Sequence, residues 1–263
     1  MRTDWEIAKR GFARYAAYPW ATIAGGFTNI IFGFMRAYIL LALYQQREVI
    51  GGYDPTAAVT YVWIGQGLLM TIWTWGWVDI ALRIRSGDIA SDLIRPIEPL
   101  RAALAFDLGR ATYHVIFRGI PPFLFGALVF QLVLPRDPLV WLAFVASVVL
   151  AVIVSFGYRA LYNAATFWLM DVRGMIIVSG VLLSIFSGFL VPVSFFPDWL
   201  AAIARATPFP SMVQTPIDVF IGRIAGTDIV VALLSQAAWA VVMLAAAQAV
   251  FAAGVRRLVV QGG

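Results

Sequence analysis

Cysteine is absent from the 263 residues, which excludes disulfides, thiol catalysis and cysteine-ligated zinc. Histidine occurs once, at His114, so no His-rich metal site can be assembled. Lysine also occurs once, at Lys9, and Arg10 follows it. A phosphate loop of the form GxxxxGKS or GxxxxGKT therefore cannot be written in this chain, and any ATP that drives it binds to another polypeptide. Charge is scarce: 13% of residues are charged and 62% are hydrophobic, where a soluble domain is about a quarter charged and about half apolar. Carboxylates are missing from the long apolar runs, so no paired acids stand at membrane depth for proton relay or general acid–base chemistry. The arginines are spread thinly, which does not suggest nucleic acid. With a mean hydropathy of +0.85, the solvent for this chain is lipid.

What is present in abundance is apolar runs of spanning length. A bilayer core of about 30 Å takes about 20 residues of helix. Six stretches meet this, at 21–44, 57–78, 112–134, 139–162, 175–193 and 229–251. They are continuous rather than alternating, so helices and not barrel strands are expected. With the N-terminus inside, twelve of the nineteen Lys and Arg fall on inner segments and four on outer ones, and the bias puts both termini in the cytoplasm. No cleavable leader is evident, and the run after Pro19 reads as an uncleaved anchor.

Three pieces lie outside the runs. Residues 1–19 predict an amphipathic helix in the inner interface, with Trp5, Ala8, Phe12 and Tyr15 on one face and Lys9, Arg10 and Arg14 off it. Residues 80–110 form the longest polar stretch of the inner side. Gly87 and Pro96 break it into short helices whose mixed charges and apolar edge suit docking on another protein, or else a solvated connector. Residues 192–228 form a long outer hairpin, where Phe195, Phe196, Trp199, Leu200 and Ile203 suggest a short amphipathic helix. Pro208 and Pro210 break that helix and a second piece follows, which suggests a re-entrant lid over a pathway, or a plug. Residues 20–254 thus make one membrane domain, and 255–263 an inner tail.

Polar residues within the runs are few. Arg118 and Arg159 stand close enough to inner boundaries to snorkel. Arg36, a candidate pathway residue, falls in the outer half of the first run, where an unpaired charge costs about 2.5–3.5 kcal/mol or more; Asp218, Asp198, an acid of another subunit or cavity water could satisfy it, or it could snorkel outward. Trp63, Gln66 and Trp73 either pack in the core or line a pathway for flat or cationic solutes, while Trp75 and Trp77 fit an interfacial belt. Gly180, Ser184 and Gly188 recur at i, i+4 and i+8 and predict a close helix–helix or subunit interface.

Two segments carry a family resemblance. RSGDIASDLIRPIEPL, from Arg85 to Leu100, resembles the RxGxIxxxLxRPxxP signature of a bacterial subfamily of ABC-2-type exporter permeases that work as two-permease systems. SGFLVPVSFFPDWLAAIARATPFP, from Ser187 to Pro210, is similar to the outer segment common to such permeases. The resemblance implies an all-α, six-span fold with an inner coupling helix carried by Arg85, Gly87, Asp88, Asp92, Arg95 and Pro96. It also implies two copies of an ATPase subunit that bind ATP and Mg, and a second permease, often a different chain. The setting would be the bacterial inner membrane and the cargo a lipophilic or cationic compound, drugs and viologens among them. The residues alone leave open a transporter driven by an ion gradient, and a membrane enzyme or scaffold.

Overall fold

The computed structural model describes residues 2–72, 78–169 and 172–258, and these are almost wholly helical. The helices are α1 (Arg2–Ala16), α2 (Pro19–Leu43), α3 (Pro55–Ile72), α4 (Asp79–Ser86), α5 (Ile89–Leu93), α6 (Pro99–His114), α7 (Ile120–Val129), α8 (Pro138–Ala164), α9 (Arg173–Phe186), α10 (Asp198–Arg205), α11 (Gln214–Phe220) and α12 (Thr227–Val255). Three helical stretches, Pro19–Leu43, Pro138–Phe167 and Thr227–Val255, are long and apolar enough to cross a membrane. They coincide with the first, fourth and sixth runs of the sequence.

Of the other three runs, the second is described as α3 up to Ile72, and Trp73, Trp75 and Trp77 lie outside the described residues. The third and fifth are interrupted or shorter. In the third, α6 passes into α7 through a π-turn at Val115–Gly119, followed at once by Pro121 and Pro122. Those prolines lack the N–H groups a regular helix needs there, and a widened turn is a usual way to absorb such a gap. In the fifth, α9 stops at Phe186, seven residues short of the expected Val193.

Local chemistry sets the helix ends. Pro138 stands at the first turn of α8, and the Asp137 carboxylate accepts the Leu139 N–H at 2.8 Å. Glu98 caps α6 in the same way, accepting from Leu100 N at 2.9 Å and Arg101 N at 2.6 Å, with Pro99 next. Gly87 closes α4 with φ +82°, a left-handed conformation suited to glycine.

Two buried clusters organise the interior. The larger surrounds α3, whose Tyr61, Val62, Trp63, Ile64 and Leu68 pack among α2, α8 and α11. The smaller lies where Ile80, Ile84 and Ile89 of the α4–α5 pair meet Phe156, Ala160 and Ala164 of α8 and Ala247 and Phe251 of α12. Large apolar side chains remain exposed along α2 (Trp20, Phe27, Met35), α9 (Ile177, Val181) and α12 (Val231, Leu234). Water would penalise that surface by about 25 cal/mol per Å², and lipid does not.

The N-terminal helix is more than a surface float. α1 packs along α6, with Phe12 edge-on to Tyr113 at 5.3 Å and Tyr15 to His114 at 4.8 Å. The two backbones cross at Gly11 and Gly109; a Cβ on Gly11 would overlap the Phe106 carbonyl, and one on Gly109 the Ala8 carbonyl. Arg101 donates twice to the Asp4 carboxylate, at 2.9 and 2.8 Å. These bonds hold the Asp4 carboxyl down at about 2.

Candidate coupling and pathway sites

The segment expected to couple to an ATPase folds as the α4–Gly87–α5 unit. Its apolar side, Ile80, Ile84 and Ile89, is buried in the inner cluster. Its other side presents Arg85, Gly87, Asp88, Arg95 and Pro96 to solvent, with Ile94 86% exposed beside them. Asp92, expected among the docking residues, is otherwise engaged: it pairs with Arg83, and with Arg95 at 3.5 Å, and so braces the turn. Asp88 accepts the Ser86 hydroxyl at 2.7 Å. A cavity of about 700 Å³ opens between this unit, α1 and α6, lined among others by Glu6, Arg10 and Arg14 of α1 and by Asp79, Arg83 and Asp92 of α4–α5.

Close to the α4–α5 unit lies a buried triad that sequence reasoning missed. Asp107 of α6 accepts from Arg110 Nε at 2.7 Å and from Arg159 of α8 at 3.2 Å (Nη1) and 2.7 Å (Nη2). All three side chains are at most 2% exposed. Arg159 therefore does not snorkel to the headgroups; a fork-to-fork carboxylate contact holds it inside the protein. Arg110 also donates to the Met70 carbonyl and, at 2.8 Å, to the Thr71 carbonyl of α3. Ser155 Oγ donates to the next carbonyl, that of Ile72, at 2.7 Å. Beyond the junction, the Asn163 side-chain oxygen accepts the Ala81 N–H of α4 at 2.9 Å. Ser155, Arg159 and Asn163 stand at i, i+4 and i+8 of α8, one polar stripe on an otherwise apolar helix. That spacing was the legible signal.

Among the described residues, Arg36 pairs with neither Asp198 nor Asp218. Its guanidinium donates to the Phe189 carbonyl and, at 3.1 Å, to the Leu190 carbonyl, and it sits 4.6 Å from the Phe189 ring centre. Asp218 is held by Tyr53 at 2.6 Å, Gln214 at 3.1 Å and Arg223 at 3.5 Å. The turn that supplies the carbonyls to Arg36 includes Gly188, with φ +83°. Gly188 thus lies beyond α9 and not on one helical face with Gly180 and Ser184. Its carbonyl accepts the Tyr61 hydroxyl at 2.7 Å, so it packs within the chain. Its left-handed backbone and the helix end at Phe186 break the expected periodicity.

Of the expected pathway residues, Trp63 is fully buried between Phe34, at 5.4 Å, and Phe130, at 6.1 Å, with Gly33 and Gly126 against its ring. Gln66, 1% exposed, offers its backbone carbonyl to Asn29 at 3.3 Å. Trp63 Nε1 and Gln66 Oε1 have no hydrogen-bond partner among the described residues. Both side chains occupy the interior of this chain, while Trp73 lies outside the described residues. Among the described residues, no group of three or more His, Cys, Asp and Glu is arranged to hold a metal ion.

Comparison with known proteins adds one family. The model of a family described as ABC-2 family transporter protein matches residues 30–262. No curated protein and no solved structure matches the chain.

Proposed function

Because the chain belongs to the ABC-2 transporter family, a family of membrane components that partner an ABC ATPase, we propose that it is the membrane-spanning permease of an ATP-driven exporter. In this reading two copies of the ATPase bind ATP and Mg. A second six-span permease, encoded separately, completes the pathway, and a lipophilic or cationic small molecule leaves a bacterial cell across its inner membrane. Both termini face the cytoplasm, and residues 192–228 form the outer re-entrant hairpin.

The observation that carries the reading is the two-sided character of α4–α5. One side is sealed into the protein by Ile80, Ile84 and Ile89. The other holds out Arg85, Asp88 and Ile94, and Ile94 is 86% exposed on a polar rim. An apolar tip among charges gains little from water and about 1.5–3 kcal/mol from burial in a partner's cleft. When the ATPase subunits close on nucleotide, they push on this tip. Asp92 serves to keep the tip in shape rather than to touch the partner.

Arg85→Glu combined with Ile94→Asp tests this. Neither side chain supports the fold, so the chain should insert and fold normally while ATPase co-purification falls at least about tenfold, the equivalent of about 1.4 kcal/mol. Efflux of ethidium, used as a probe cation, should fall with it. Undiminished co-purification would refute the docking role. Efflux that survives deletion of the ATPase and collapses with an uncoupler would refute ATP drive.

A further inference from the structure

We propose that the Ser155–Arg159–Asn163 stripe of α8 is the drive joint of this protein. It fastens α8 to α3 at Ile72 and to α4 at Ala81, so that α8, with α12 packed on it, moves when the coupling unit moves. This inference rests on the proposed function and names the element that receives the stroke.

The covalent path from α4 into the membrane leads to α3, the obvious recipient. The non-covalent contacts lead elsewhere. Ser155 holds the Ile72 carbonyl of α3, and Asn163 holds the backbone N–H of Ala81 near the start of α4. The two side chains lie two turns apart on one rigid helix, so they fix Ile72 of α3 and Ala81 of α4 relative to α8. Arg159, between them, binds Asp107 of α6 through both of its terminal nitrogens. Arg159 Nε turns back to the Ser155 carbonyl at 3.2 Å and hydroxyl at 3.3 Å, and the Asn163 amide donates to the Arg159 carbonyl at 2.8 Å, so the stripe is internally braced. Ser155, Arg159 and Asn163 are at most 1% exposed. Water cannot replace a bond as it breaks there, and each bond is correspondingly hard to release.

Apolar packing points the same way. Ile80 and Ile84 are buried in one cluster with Phe156, Ala160 and Ala164 of α8 and Ala247 and Phe251 of α12. Sliding α4 over α8 would open that cluster and break the Asn163 bond together. Carrying α8 along breaks neither. The α8–α12 pair is itself drawn close at Gly157, where a Cβ would press on Met243 at 2.7 Å. The stroke therefore enters the membrane through two of the three long apolar helices rather than through α3 alone.

The chain contains no cysteine, so spin labels can be placed without background. Leu82 of α4 is 57% exposed, Leu169 just beyond α8 is 42%, and Trp20 on α2 is 80%. Cysteine pairs Trp20–Leu82 and Trp20–Leu169 would be measured by double electron–electron resonance in membranes holding the permease with its ATPase, without nucleotide and with ATP plus vanadate. Both distances should change together in the parent chain. In Asn163→Ala and Ser155→Ala the Leu82 change should persist while the Leu169 change shrinks, each lost bond shifting the joined-to-parted ratio about fivefold. Ser155→Thr, which keeps the hydroxyl, should restore it. An undiminished Leu169 change in both folded alanine variants overturns the drive joint and leaves the proposed function standing. A Leu82 pair that ignores nucleotide in the parent chain overturns the proposed function, and the joint with it. The two single variants are tested separately, so one that fails to fold leaves the other decisive.

Discussion

Asp107→Asn should be the most damaging single polar substitution around the α4–α5 unit of this protein. The triad of Arg110, Asp107 and Arg159 carries a net charge of +1 in a site at most 2% exposed. Neutralising the acid leaves two guanidinium groups that had shared one carboxylate. Charges on the order of 5 Å apart repel by about 3 kcal/mol at an effective dielectric of about 20. Removing one partner of a buried ion pair typically costs about 3–5 kcal/mol, and we expect a loss in that range. Arg159→Met makes the opposite change, since it leaves a neutral Asp107–Arg110 pair and fills the volume with an adaptable apolar chain. Its cost should be about 1–3 kcal/mol, set by the two bonds lost to Asp107 and the two to Ser155. Equilibrium unfolding in mixed micelles, followed by tryptophan fluorescence, would compare the two. The reasoning fails if Arg159→Met costs as much as Asp107→Asn, or if Asp107→Asn costs less than about 1 kcal/mol. Either result would mean that charge balance does not govern this site.

The N-terminal contact offers a second test: Gly109→Ala forces α1 off α6, because the new methyl meets the Ala8 carbonyl. A cysteine placed at Phe12 should then become reactive to a soluble maleimide, with a stability loss of about 1–3 kcal/mol. Asp4, held at about 2 by Arg101, is a depressed acid. Its contribution to α1 docking is present above the ordinary carboxylate value of 3.8 and fades as pH falls toward 2. Arg101→Ala should return the Asp4 carboxyl toward ordinary titration, read by NMR of labelled aspartate. At the outer turn, Tyr61→Phe removes one bond to Gly188 and should cost about 1 kcal/mol. Combined with Arg36→Met, which frees Phe189 and Leu190, the loss should depart from additivity by at least about 0.5 kcal/mol, because both residues grip one turn. Strict additivity would show that the two grips act independently.

Hydropathy alone located the long helices, since a run of about 20 apolar residues has few alternatives in lipid. The breaks at Gly87 and Pro96 were legible, but the apolar edge of Ile84, Ile89, Leu93 and Ile94 was read as a face for another protein, and Ile84 and Ile89 are instead buried within this chain. What escaped were partners. Asp107 sat in a stretch read as an inner polar segment, yet α6 extends from Pro99 and buries it. Arg159 was judged by its distance from a boundary, and no local pattern reveals that an acid 52 positions away faces it. The mate of Arg36 was sought among carboxylates, whereas a helix end supplies carbonyls just as well. Gly188 was counted on a helical period that had already ended. The Gly188 to Pro192 stretch was itself a stop signal of the kind that closes helices.

The Gly11–Gly109 crossing also bears on how the protein is made. Asp4 and Arg101 are 97 residues apart in the chain, so the first helix leaves the ribosome long before its cradle exists. With Trp5, Phe12 and Tyr15 uncovered and three cations alongside, it must wait against lipid headgroups while two hydrophobic runs insert. Only after α6 emerges can it be lifted into place. A bulky fusion immediately ahead of Asp4 would then hinder biogenesis more than the same fusion after Val255, even where the finished molecule could accommodate both.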